Sequence, residues 1–100
     1  MSNGYVGILS IELHFPEAGS LKDKRQHVRS AKAQLQNRFG ASVAETDHHE
    51  FWQRSKLVIA LTAAEATALE RLMNSTERYL HGQEYELNVL ERRIVAPGDE

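Results

Sequence analysis

Between Tyr5 and Phe15 the chain alternates in steps of two, and beyond Pro16 and Gly19 its apolar residues recur at helical spacing instead. In the first stretch Tyr5, Leu9, Ile11, Leu13 and Phe15 fall on one face, and Val6, Ile8, Ser10, Glu12 and His14 on the other. A period of two over that length requires a strand with one well-buried face. Ser20 is a good helix N-cap, with Asp23 placed as in a capping box. Val28, Ala31, Leu35 and Phe39 then repeat at helical spacing up to Gly40, which is positioned to end the helix.

The same two periods recur downstream. Residues 41–46 read as a short strand, Asp47 and Glu50 as the caps of a single helical turn, and Leu57, Ile59 and Leu61 as the buried face of a second long strand. Thr62 and Glu65 form a second capping-box pattern before a helix with the apolar stripe Ala66, Leu69, Leu72, Met73, Thr76 and Leu80. After Gly82, Tyr85 to Glu91 alternates again, and 97–100 reads as a frayed tail. The order β-α-β-β-α-β specifies an α+β, ferredoxin-like sandwich over residues 1–96. It has a four-stranded antiparallel sheet, strand order 4-1-3-2, with two helices on one face. Leu9, Ile11, Leu13, Leu57, Ile59 and Leu61 are the expected sheet side of the core. Val28, Leu35, Phe39, Leu69, Leu72 and Leu80 are its expected helix side.

One hundred residues suffice for one modest core. Without cysteine there is no disulfide, no thiolate nucleophile and no Cys-based zinc site. No apolar run reaches the roughly 18–20 residues of a membrane span. Met1 to Gly4 lead straight into a strand without the features of a signal peptide, so a cytoplasmic protein with no membrane partner is expected. The formal net charge of −2 hides an asymmetry. Lys22, Lys24, Arg25, Arg29, Lys32 and Arg38 lie in one stretch opposed there by Asp23 alone, while the remainder of the chain is acidic. Such a basic helix is either a solvated outer face or a local phosphate-binding surface.

Two runs are richer in charge and aromatic character than their local fold requires: Ser20 to Arg25, and Ala44 to Arg54. The expected topology brings both to one end of the sheet, together with Glu12, His14, Asp47, His48, His49, Glu50 and His81. Three functional readings follow. Lys22, Lys24, Arg25 and Arg29 at the helix start, with Trp52, Gln53 and Arg54, would contact RNA phosphate and stack a base. His14, His48 and His49 with nearby carboxylates would hold a metal, although no His-x-His or His-x-x-x-His spacing is present. His14 with Glu12 would act as an acid–base pair. Against the first reading stand pairing of these cations with Asp47 and Glu50, and a Trp52 that plugs the open end of the sheet. No complete catalytic constellation, metal set or cofactor motif is present, and none is assigned.

The open sheet face is expected to present Val6, Ile8, Ser10, Val58 and Ala60, with no aromatic on the two central strands. Base stacking in the manner of an RNA-recognition motif is therefore disfavoured. A homodimer formed face to face across this surface is the rival reading. It competes with a face covered by its own long side chains, such as Lys56 and Arg92.

Gly7 to Pro16, Ser20 to Arg25, Asn37 to Phe39, Ser42 to Glu45, Asp47 and Trp52 to Arg54 together resemble the YlxP-like family of small bacterial proteins. The resemblance covers nearly the whole domain and implies a ferredoxin-like fold of unknown function. It brings no catalytic residues with it. In many bacteria the gene of that family lies beside those of translation initiation and ribosome maturation factors, which implies an RNA or ribosome connection. The His48–His49 pair falls where the family varies.

Overall fold

The structure, a computed structural model, describes residues 4–47 and 51–98. Its elements are β1 (Tyr5–His14), α1 (Leu21–Phe39), β2 (Ser42–Asp47), β3 (Arg54–Ala63), α2 (Ala66–His81) and β4 (Glu86–Val95). The strands form one sheet in the order β2-β3-β1-β4, with every neighbouring pair antiparallel. This is the α+β, ferredoxin-like βαββαβ arrangement, with the central strands β1 and β3 paired from Tyr5 opposite Ala63 to His14 opposite Arg54.

The core lies between the sheet and the helices. Leu9, Ile11, Leu13, Leu57, Ile59 and Leu61 meet Val28, Ala31, Leu35, Leu69, Met73 and Leu80 in one buried cluster. Phe39 and Leu72, expected among these, are only partly buried at its margin. Each fully buried aliphatic side chain contributes roughly 1.5–3 kcal/mol, so this cluster dominates folding. At Gly7 an added Cβ would lie 2.6 Å from Met73 Sδ, which shows how closely α2 crosses β1.

Helix α1 is capped at both ends. Ser20 Oγ accepts the Asp23 N–H at 3.1 Å, while Asp23 Oδ2 accepts the Gly19 N–H at 3.3 Å, one residue before the position that a strict capping box would use. Gly40 adopts the left-handed conformation (φ 65°), and its N–H donates to the Gln36 carbonyl at 3.0 Å.

Two local expectations are corrected, and a third falls outside the described residues. The Thr62–Glu65 capping box does not form, because pairing with β1 carries β3 on to Ala63. Glu65 is instead the N-cap of α2, with no side-chain cap hydrogen bond. Asp47 ends β2 opposite Lys56, and the helical turn expected between Asp47 and Glu50 lies outside the described residues. Finally, Arg92 does not cover the open sheet face. The register of β4 slips by one residue at Leu90, between Val89 opposite Ile11 and Glu91 opposite Ser10. Beyond that bulge the alternation is inverted, and Arg92 lies opposite the core residue Leu9. Its guanidinium bonds Glu77 and Asn74 of α2.

Candidate functional site

The two charged runs meet, and part of each is consumed in making them meet. The Phe15 N–H donates to the Gln53 carbonyl at 2.8 Å, and Gln53 Nε2 donates to the Ala18 carbonyl at 3.4 Å. These bonds tie the β1–α1 connection to the foot of the β2–β3 loop. Deeper in, Lys24 Nζ lies 2.9 Å from Glu45 Oε2, which also accepts the Ser55 hydroxyl at 2.5 Å. Helical spacing explains why Lys24 points inward: positions 24, 28, 31 and 35 form the buried face of α1. On the sheet, Glu45 lies opposite Leu57 and so faces the same interior.

Lys24 therefore cannot serve as the ligand contact expected from the sequence. Only 1% of its surface is exposed, and its ammonium is spent on Glu45. Gln53 is likewise occupied by the loop anchor.

The other cations of α1 remain outside. Lys22, Arg25 and Arg29 are exposed, and Lys32 continues their line. Their spacing of three and four residues stacks them along one flank, with neighbours about 5–6 Å apart. Arg25, Arg29 and Lys32 border an open groove of about 410 Å³ that ends at Glu45. Among the described residues none of these four cations has an ion-pair partner, and Asp23 is committed to the helix cap. Lys32 was missing from the expected site, although its position seven residues beyond Arg25 is the signal that would have found it.

Trp52 does not plug the sheet. It is 53% exposed on the β2–β3 loop, and the neighbouring Phe51, also missing from the expected site, is as open. Together with Gln53 and Arg54 they line a shallow depression of about 490 Å³. The indole stands out because Gln53, rather than Trp52, supplies the anchor.

Beside this loop, on the open sheet face, Glu12, His14, Arg54 and Glu86 border a second depression of about 280 Å³. His14 Nδ1 lies 3.4 Å from Glu86 Oε2 on β4, so its carboxylate neighbour comes from the adjacent strand and is not the expected Glu12. His48 and His49 lie outside the described residues, and among the described residues no three His, Cys, Asp or Glu side chains are grouped to hold a metal. His27, left outside the expected cluster, stacks on Phe15 with ring centroids 5.4 Å apart.

Tyr85 packs edge-on against Phe15 at 5.6 Å, and its phenol is pushed up to about 12, chiefly by burial and secondarily by Tyr79. An unfolded tyrosine ionises near pH 10. The stabilisation from keeping Tyr85 neutral is thus complete below pH 10 and is lost as pH rises towards about 12. Denaturant unfolding across that range will show wild type losing more stability than Tyr85→Phe; parallel curves would contradict this.

Residues 6–94, which include every side chain of this surface, match the sequence pattern of a family described as "Protein of unknown function (DUF503)". The chain belongs to the DUF503 family. It is also similar to the uncharacterized protein YlxP of Bacillus subtilis (strain 168), with 30% identity over 66 residues, 66% of this chain and 72% of that protein. Neither description names an activity. In this DUF503 chain the residues of the two runs and their neighbours divide into two groups by geometry alone: Lys24, Glu45, Gln53 and Ser55 hold the fold, while Lys22, Arg25, Arg29, Phe51, Trp52 and Arg54 are exposed, with Lys32 half-buried beside them. Among the described residues no helix is long and apolar enough to cross a membrane.

Proposed function

We propose that this chain is a non-catalytic, cytoplasmic RNA-binding module that works in ribosome maturation or translation. It grips single-stranded RNA along Lys22, Arg25, Arg29 and Lys32 and stacks a base on Trp52. The observation carrying this reading is the line of cations on one flank of α1, exposed at Lys22, Arg25 and Arg29 and half-buried at Lys32, none of them ion-paired among the described residues. Glu45, the acidic side chain in that groove, is already neutralised by Lys24 and does not repel phosphate. The net charge of −2 does not decide the matter. Carboxylates farther away than about 8 Å are largely screened at physiological salt, whereas the stripe acts at contact distance. The gene neighbourhood implied by the YlxP-like resemblance supports the biological setting.

Trp52 is the single tryptophan of the chain, so its fluorescence reports on the surface directly. Titration with a single-stranded RNA oligonucleotide will quench it saturably, and added salt will reverse the quenching. Trp52→Ala, which removes that fluorophore and is therefore followed by anisotropy of labelled RNA, will weaken binding roughly 5- to 100-fold, the value of one stacked base. An emission that RNA leaves unchanged, or quenching indifferent to salt, sinks the proposal.

A further inference from the structure

Strand β4 forms one outer edge of the sheet, and its ten residues run along β1 with one register slip, at Leu90. The opposite edge, β2, also slips in register, near Thr46, and with six residues it offers the shorter ladder. Long edges of monomeric proteins are usually covered or made unattractive, because their free N–H and C=O groups recruit another strand. Here the edge strand also exposes Leu90 (46%) and Ile94 (38%), two of the four large hydrophobic side chains exposed among the described residues. The other two, Phe51 and Trp52, belong to the loop described above.

We propose that β4 pairs antiparallel with β4 of a second copy of this chain, joining the two sheets edge to edge. The register follows from the side chains. Facing residues of an antiparallel pair share one hydrogen-bonding class, so the two-fold axis must pass through a residue. With the axis at Arg92, Glu91 faces Arg93 of the second copy and Leu90 faces Ile94 of the second copy, each pair occurring twice. An axis at Glu91 or Arg93 sets like charges face to face and places Arg92 opposite Leu90 or Ile94. An axis at Leu90 sets Glu91 against Val89 and Arg93 against Leu87. Directly facing side chains are within contact range, so the first register gains two opposite-charge and two apolar pairs against one Arg92–Arg92 pair. Axes at Glu91 or Arg93 set like charges together without those gains, and an axis at Leu90 leaves Glu91 and Arg93 facing apolar residues.

Two features prepare the edge for it. Glu91 and Arg93 lie on the same side of β4, 3.4 Å apart within one copy, ready to exchange partners across the axis. The two Arg92 side chains that meet at the axis are already drawn back towards α2 by Glu77 and by Asn74, the latter at 2.8 Å, which relieves their repulsion. The open sheet face offers less: Val6, Ile8, Val58 and Ala60 are each partly covered, and no large hydrophobic side chain protrudes there.

Sedimentation equilibrium of nuclease-treated protein tests the pairing. Wild type will dimerise reversibly, while Glu91→Arg and Arg93→Glu, each shown by circular dichroism to be folded, will dissociate about 10-fold more readily or worse. An equimolar mixture of the two variants will regain the wild-type affinity, because each introduced charge then faces its opposite. Leu90→Lys will weaken the dimer independently. The proposal is overturned by a wild-type chain that stays monomeric up to about 1 mM. It is equally overturned by a dimer that neither charge reversal weakens, or by a mixture that fails to restore it.

Discussion

Replacing Lys24 by methionine will lower the unfolding free energy by about 3 kcal/mol and leave the surface cations untouched. Methionine preserves most of the unbranched stem that packs beside Val28 but removes the ammonium from Glu45. Breaking a buried pair on one side typically costs about 3–5 kcal/mol, since the remaining charge stays desolvated. The Glu45 side chain retains 20% of its surface, so the lower end applies. For a domain of this size the melting temperature should drop by roughly 15 °C. Glu45→Gln should cost at least as much, because Lys24 is the more deeply buried partner. The double change Lys24→Met/Glu45→Leu should recover part of the loss, since an apolar pair of similar volume leaves no charge buried alone, although the buried Ser55 hydroxyl loses its acceptor. Denaturant unfolding of the four proteins settles the point. A loss below about 1 kcal/mol for Lys24→Met would mean that the pair is no structural clamp.

Removing the stripe has the opposite profile. Arg25→Ala/Arg29→Ala/Lys32→Ala should leave stability within about 0.5 kcal/mol of wild type for each site, because Arg25 and Arg29 are exposed, alanine suits a helix and no ion pair among the described residues is lost. Its affinity for single-stranded RNA should nevertheless fall about 100-fold near 0.1 M salt, the counterion-release value of three phosphate contacts. Filter binding or fluorescence anisotropy measures this. A stripe variant that binds RNA as tightly as wild type removes α1 from the interface. Lys24 must be kept out of such a variant, since its loss would strike folding and imitate a binding defect.

The fold was legible in the sequence wherever one face is buried. Leu9, Ile11 and Leu13, and Leu57, Ile59 and Leu61, announce their strands by period, and Gly40 announces the end of α1 by its left-handed backbone. Local signals failed where pairing at long range overrode them. The Thr62–Glu65 pattern is a plausible cap, yet Thr62 and Ala63 gain ladder partners on β1. The bulge at Leu90 carries no glycine or proline to mark it, so the side on which Arg92 lies was not readable. The candidate surface was half legible. The meeting of the two runs follows from topology, but the sorting of their residues depends on which side chains the interior claims. Lys24 falls in register with Val28, Ala31 and Leu35, and its charge concealed a core position. Nothing in the loop sequence distinguishes an anchored tryptophan from an exposed one, because Gln53 takes the anchoring role through backbone contacts.

The slope of log affinity for single-stranded RNA against log salt should be read in wild type, in the stripe variant and in Lys24→Met/Glu45→Leu. Four phosphate contacts give a slope of about −3 for wild type and for the core-pair variant, and one remaining contact gives about −1 for the stripe variant. Equal slopes in all three, or a slope that changes with the core pair instead, would contradict the division of these motifs into a structural half and a binding half.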